Sequence, residues 1–276
     1  MHTFACYLKF MKKAFHILFI CLLLASCSDF QKALKSDDIA EKFTLATELY
    51  EAEKWNKSHR LLSQILPKYR GKPQGEKLTF MHANCSYQMR DYYIASYHFD
   101  KFADIYPTSE KAEEATFLSA KGYYQNSPVY SKEQKETVEA IEKLQLFVNA
   151  YPNSEYLVEA NTLIKELDFK LEKKAFEIAK QYDLIRDYKA SLKSFNNFLF
   201  NFPGTTLRNK AMFYRFDAAY NLAMLSIDQL KAERLNDAIN YYNAFKKAYP
   251  NSEFLADATK MNEELQVELK TFSTKS

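Results

Sequence analysis

Along Thr137–Ala160 apolar residues recur at helical spacing and then stop. Ala140, Leu144 and Phe147 stand at i, i+4 and i+7 and share one helical face. Tyr151-Pro152 ends that helix, because proline disfavours a helical residue before it. Ser154 is then placed to accept a backbone N–H as an N-cap, and Glu155 sets negative charge at the positive end of the next helix. The same junction recurs as Tyr106-Pro107-Thr108-Ser109-Glu110 and Tyr249-Pro250-Asn251-Ser252-Glu253. Phe202-Pro203-Gly204-Thr205 is a looser copy, and Tyr69-Arg70 a degenerate one with Arg70 in the proline's place.

Counting back from these anchors exposes a register. Twelve residues upstream lie Ser58, Ala95, Ala140, Ser191 and Ala238, all small. Eight upstream lie Leu62, Phe99, Leu144, Phe195 and Tyr242; five upstream lie Ile65, Phe102, Phe147, Phe198 and Phe245. Eight downstream of the proline anchors stand Ala115, Ala160, Ala211 and Ala258. A small residue lets two helices approach and the large ones fill the space they leave. This order before a proline is the second-helix pattern of tetratricopeptide repeats. The anchors are 37, 45, 51 and 47 residues apart, against roughly 34 for the standard repeat, so the array carries insertions. The expected fold is all-α, a right-handed α-solenoid of about five tetratricopeptide-like helix pairs ending in a capping helix over Glu253–Lys270.

In chain order, Asp37 or Asp38 caps a first helix that runs to about Ala52. Trp55 opens its partner and, like Tyr92 and Tyr188 at the equivalent places, is expected to pack between helices. Arg70–Gly75 reads as a turn, and Asn126–Glu136 as an insertion between two helices. Glu155–Tyr182 holds no Gly or Pro and reads as one long helix or as two that break near Asp168. Asp187–Phe202, Leu207–Ile227 and Glu233–Tyr249 follow as helices. Tyr50, Tyr87 and Tyr124 fall 37 residues apart on the first helices of successive repeats. They either line a groove or sit in the core. As groove residues they are the candidate contacts for a substrate peptide.

The N-terminus reads as an address. Lys12-Lys13 precedes a short apolar run, Ala14–Ala25, that suits a secretory leader better than a membrane span. It ends in Leu24-Ala25-Ser26-Cys27, which resembles a bacterial lipobox, so residues 1–26 would be removed and Cys27 would carry the lipid. Met11 is an alternative start. Ser28, rather than Asp, resembles lipoproteins routed to the outer membrane. Residues 27–36 then read as a lipidated polar tether, 37–270 as the repeat domain and 271–276 as a tail.

Composition narrows the function. There are four glycines in 276 residues, which argues against a sheet-rich fold and leaves no phosphate-binding loop. The +3 net charge comes from Lys9, Lys12 and Lys13; without the leader, 35 bases face 35 acids, which is not the balance of a nucleic-acid binder. Cys85 has no mature partner and is expected to pack as a small apolar side chain. His59, His82 and His98 form no metal-binding spacing, and no Gly-x-Ser-x-Gly elbow exists. Glu113-Glu114 and Glu263-Glu264 are adjacent and diverge on a helix. The expectation is a protein that is not an enzyme, with no cofactor and no metal.

The lipobox, Cys27–Asp37 (CSDFQKALKSD), Ala95–Pro107 (ASYHFDKFADIYP), Asn126–Gln134 (NSPVYSKEQ) and Ala140–Glu155 (AIEKLQLFVNAYPNSE) together resemble the BamD family of outer-membrane β-barrel assembly lipoproteins, over essentially the whole chain. The resemblance implies a lipid-anchored adaptor on the periplasmic face of the outer membrane. Its implied partners are a BamA-like barrel, bound through its POTRA domains by the C-terminal repeats, and unfolded outer-membrane proteins, whose extended aromatic-bearing end the N-terminal repeats receive. The alternative is a repeat lipoprotein in cell-envelope or peptidoglycan coordination, or in glycan uptake. No sustained heptad supports the first of these.

Overall fold

The computed structural model describes residues 28–274, so the leader, the lipobox with Cys27 and the last two residues lie outside it. Among the described residues there are twelve α-helices and no strand. They are α1 (Ser28–Lys35), α2 (Ile39–Glu51), α3 (Trp55–Ile65), α4 (Pro73–Gln88), α5 (Tyr92–Ile105), α6 (Ala112–Asn126), α7 (Lys135–Ala150), α8 (Leu157–Leu184), α9 (Tyr188–Asn201), α10 (Arg208–Met224), α11 (Asp228–Ala248) and α12 (Leu255–Ser273), with a 3-10 turn over Leu66–Tyr69. The chain is an all-α, tetratricopeptide-like stack of helix pairs. It divides into two compact units, residues up to 127 with 139–163, and 128–138 with 164–276.

The register counted from the anchors is the core. Ser58, Ala95, Ala140, Ser191 and Ala238 are fully buried, and none of the ten large residues at the two other positions exceeds 4% exposure. Each buried Phe or Leu there contributes about 1.5–3 kcal/mol by leaving water. Where the small residue is serine, its hydroxyl is satisfied across the helix pair: Ser58 Oγ donates to the Ala46 carbonyl at 2.8 Å and Ser191 Oγ to the Ala179 carbonyl at 3.0 Å. Ala115, Ala160, Ala211 and Ala258 are also fully buried, and so is Cys85.

Three tight turns share one design. Glu53, Arg90 and Arg186 adopt φ of 56°, 63° and 64°. The next N–H in each case (Lys54, Asp91, Asp187) donates five residues back, to Leu49, Ser86 and Tyr182, at 2.8, 3.0 and 2.9 Å. This is a Schellman cap with a long charged side chain where glycine is usual. Each cap lets the next helix begin within a few residues, at Trp55, Tyr92 and Tyr188.

The proline junctions differ from expectation in one respect. Ser154 accepts from the Tyr156 N–H at 3.0 Å, but α8 starts only at Leu157. Ser109, Thr205 and Ser252 likewise accept from the N–H two residues on, at 3.0, 3.1 and 3.2 Å. These hydroxyls close a small turn before the helix instead of capping it. Two of them also donate backwards, Ser109 to Glu76 at 2.6 Å and Ser252 to Asn209 at 2.8 Å, tying each junction to the preceding first helix.

Four further elements depart from the sequence reading or settle it. The stretch expected as a polar tether is helix α1, with Phe30 and Ala33 buried against α2 and α3. Asp38, not Asp37, caps α2, accepting from Ala40 and Glu41 at 2.8 and 3.1 Å. Residues 157–184 form one helix without a break at Asp168, since nothing in them removes a backbone donor. And α11 begins five residues before Glu233, because Lys231 is only 8% exposed and donates to the Met224 carbonyl at 2.7 Å, closing the end of α10, while pairing with Glu268 at 3.0 Å. In the insertion, buried Gln134 donates to the carbonyls of Val129 and Lys132 at 2.9 Å and accepts from Thr137 at 2.8 Å, so that segment is an ordered loop.

Candidate functional site

Helices α2, α4 and α5 and the start of α6 line a half-open cavity of about 600 Å³. Its apolar wall comes from Tyr50 on α2, Phe80 and Met81 on α4 and Phe102 on α5. Phe80 meets Phe102 edge-on at 5.4 Å and Phe99 at 5.6 Å, so its position is fixed by the core behind it. The rim is charged: Glu51, Glu76, Lys77, Lys111 and Glu114. Lys111 Nζ lies 2.7 Å from Glu114 and 5.4 Å from the centre of the Phe80 ring. The hydrogen bond to Glu114 holds the Lys111 ammonium above its ordinary pKa, so it remains a cation.

Tyr50 lines the cavity with its hydroxyl accepting from Asn84 Nδ2, and burial raises its pKa. Its ring also meets Trp55 edge-on at 5.2 Å, so Trp55 packs between helices. Tyr87 repeats that second contact against Tyr92, also at 5.2 Å, and packs on Phe99. Burial pushes its hydroxyl up to about 12. Tyr87 does not line the cavity, and neither does half-buried Tyr124. The repeat phase placed the three tyrosines equivalently, and Tyr50 and Tyr87 share a role, bracing the turn between paired helices. The residues missed were Phe80, Lys77, Asn84, Lys111 and Glu114. A stripe at 73, 77, 80 and 84 was legible as the α4 face opposite buried Gly75, His82 and Ser86.

The three histidines, scattered in sequence, converge. His59 and His82 stack at 4.2 Å and His98 meets His82 edge-on at 4.8 Å. Ser63 Oγ lies 3.0 Å from His82 Nε2. Stacked rings do not aim lone pairs at one point, and among the described residues no group of three or more His, Cys, Asp or Glu is placed to hold a metal. Burial lowers all three pKa values, that of His82 to about 3.

Residues 35–235 match the family YfiO, described as an outer membrane lipoprotein. The chain belongs to this family. Three relatives carry the name outer membrane protein assembly factor BamD. The Caulobacter vibrioides protein is 26% identical over 59% of this chain and 50% of its own length. The Rickettsia prowazekii protein is 21% identical over 92% of this chain and 98% of its own. The Helicobacter pylori protein is 31% identical over 24% of this chain and 30% of its own. The chain thus spans half of the first of these relatives and nearly all of the second. The YfiO match begins at Lys35, the last residue of α1, and includes every residue lining the cavity. No helix among the described residues is long and apolar enough to cross a membrane.

Proposed function

We propose that this chain is a non-enzymatic adaptor in the assembly of outer-membrane β-barrel proteins, held on the periplasmic face of the outer membrane by lipid on Cys27. Membership of the YfiO family and the name shared by the three relatives support this reading. The observation that carries it is the N-terminal cavity. Its aromatic wall of Tyr50, Phe80 and Phe102 suits the ring of an extended aromatic-bearing peptide. Lys77 and Lys111 offer charge to a carboxylate, and the facing Glu51, Glu76 and Glu114 offer acceptors to backbone N–H groups. The peptide is the end of an unfolded barrel protein. The second partner is a BamA-like barrel with POTRA domains, engaged by the C-terminal repeats.

An affinity pull-down from detergent-solubilised outer membranes tests this, with Cys27→Ala as the control for anchoring. A POTRA-bearing barrel in stoichiometric amount supports the assembly role. Peptidoglycan-binding or glycan-transport proteins in its place, with no such barrel, would overturn it.

A further inference from the structure

The replacement of the expected tether by α1 has a geometric effect at the membrane. The described residues are helical from Ser28, the residue after Cys27, and Phe30 and Ala33 pin this helix to α2 and α3. A chain acylated at Cys27 therefore has no slack between lipid and folded body. The surface beside α1 is basic. From Lys54 to Gly75 the sequence holds Lys54, Lys57, Arg60, Lys68, Arg70 and Lys72 and no acidic residue, in a mature chain whose charges balance overall. Lys57 Nζ and the Arg60 guanidinium lie 5.5 and 5.4 Å from the centre of the Phe30 ring, so this run abuts the first turn of α1. Lys57 and Arg60 are neighbours at i and i+3 on α3, and Lys68 follows in the 3-10 turn after it. Lys42 of α2 reaches α3 one turn beyond Arg60, donating to Gln64 at 2.6 Å. Among the described residues no ion pair engages any of the six bases, and all but Lys57 are exposed.

We propose that the α1–α3 face, from Lys54 to Lys72, is a docking surface for anionic phospholipid headgroups, and that it lays the N-terminal repeats against the membrane that holds the lipid anchor. The occupant follows from position and charge. The anchor delivers a phosphate-bearing surface within one residue of α1, and six unpaired cations complement it. Near an anionic bilayer each base strengthens association about fivefold, and the effect fades with salt. The surface fixes which side of the N-terminal repeats faces lipid, which a flexible tether would leave free. The inference rests on the lipid anchor proposed above.

The test uses the acylated protein reconstituted in phosphatidylethanolamine vesicles with or without phosphatidylglycerol. Lysines are labelled with an amine reagent and read by mass spectrometry. Labelling of Lys57, Lys68 and Lys72 is expected to fall severalfold when phosphatidylglycerol is present. Labelling of all three should recover at high salt, and that of Lys57 and Lys72 should recover in Lys68→Glu/Arg70→Glu, while Lys246 and Lys247 on α11 label equally throughout. That variant leaves Phe30 and its two cations untouched, so α1 stays packed. Equal labelling of the three lysines in both vesicles would overturn the proposal. So would protection in native outer membranes without protection on phosphatidylglycerol vesicles, which would give the face to a protein partner. The mass of the N-terminal peptide reports the anchor separately. If Cys27 carries no lipid, the anchor reading falls; salt-sensitive sedimentation of the same protein with phosphatidylglycerol vesicles would still uphold the surface, and its absence would sink both.

Discussion

Gly122 on α6 lies so close to Ser96 on α5 that a Cβ built on it would stand 2.1 Å from Ser96 Oγ and 3.2 Å from the Tyr92 carbonyl. That hydroxyl is not free to swing away, because it donates to the Ser119 carbonyl at 2.9 Å in a buried setting. Gly122→Ala must therefore displace the serine and leave its buried hydroxyl without its acceptor, at a cost of about 1–3 kcal/mol. In a Ser96→Ala background the clash with the hydroxyl is gone, and alanine's better helix propensity, about 1 kcal/mol, is opposed only by the 3.2 Å approach to the Tyr92 carbonyl. Urea unfolding of the four proteins of this cycle gives the coupling. Equal costs for Gly122→Ala in both backgrounds would rule out Ser96 as the obstacle.

The Schellman turns make a prediction of opposite sign. Arg90 holds φ of 63° with its neighbours fully hydrogen-bonded, a conformation that costs an L-residue about 1 kcal/mol and glycine nothing. Arg90→Gly should stabilise the protein by a few tenths to about 1 kcal/mol, the gain being trimmed by glycine's larger freedom in the unfolded chain. Arg90→Val at the same position should destabilise it. A rise in thermal midpoint with valine would refute the backbone explanation.

The histidine cluster gives a pH dependence. The unfolded pKa of His82 is about 6.5 and the folded one about 3. Between those values the unfolded state binds more protons, so stability is complete above pH 6.5 and is lost as the pH falls. From pH 6.5 to 5 the loss due to His82 is about 2 kcal/mol. His59 and His98, also lowered by burial, add to it, and Asp91 partly offsets their shifts. Asp217, in the other unit, acts the opposite way: burial raises it to about 6, so acid removes a penalty there. Comparing wild type with His82→Leu by urea unfolding at pH 7 and pH 5 isolates the first effect. The variant should lose about 2 kcal/mol less on acidification, and an unchanged difference would exclude His82 as its source.

The core was legible because its register depends on volume: a small residue, then two large ones, at fixed distance from a stop. That constraint is visible in letters, and every such position is buried. Three features were hidden because their physics is carried by atoms other than the expected ones. The tight turns use Glu53, Arg90 and Arg186 in a conformation that glycine would have announced. Helix α1 has only Phe30, Ala33 and Leu34 to bury among charged neighbours, so it reads as polar until α2 and α3 are placed against it. The junction serines have the right residue type for a cap but sit two positions too early. At the candidate site, repeat phase found Tyr50 but gave no account of which face of α4 points into the cavity. Phe80 and Asn84 follow from that face, not from the anchors.

Phe80 and Tyr87 lie two turns apart on α4 and separate peptide binding from packing. Phe80 presents its ring to the cavity, whereas Tyr87 is spent on Tyr92 and Phe99. If an aromatic-ended peptide docks here, Phe80→Ala removes a contact wall worth about 1–2 kcal/mol and should weaken binding about tenfold. Tyr87→Phe keeps the ring contacts and should leave affinity unchanged. Lys111→Glu reverses the rim charge beside Phe80 and turns the Glu114 pair into a repulsion, so it should weaken a peptide with a free C-terminal carboxylate more than its amide. Fluorescence anisotropy with a labelled peptide copied from the last ten or so residues of a barrel protein reads all three. Equal affinity of wild type and Phe80→Ala would move the peptide away from this cavity. Equal loss for acid and amide in Lys111→Glu would leave the aromatic contact standing but remove the carboxylate from it.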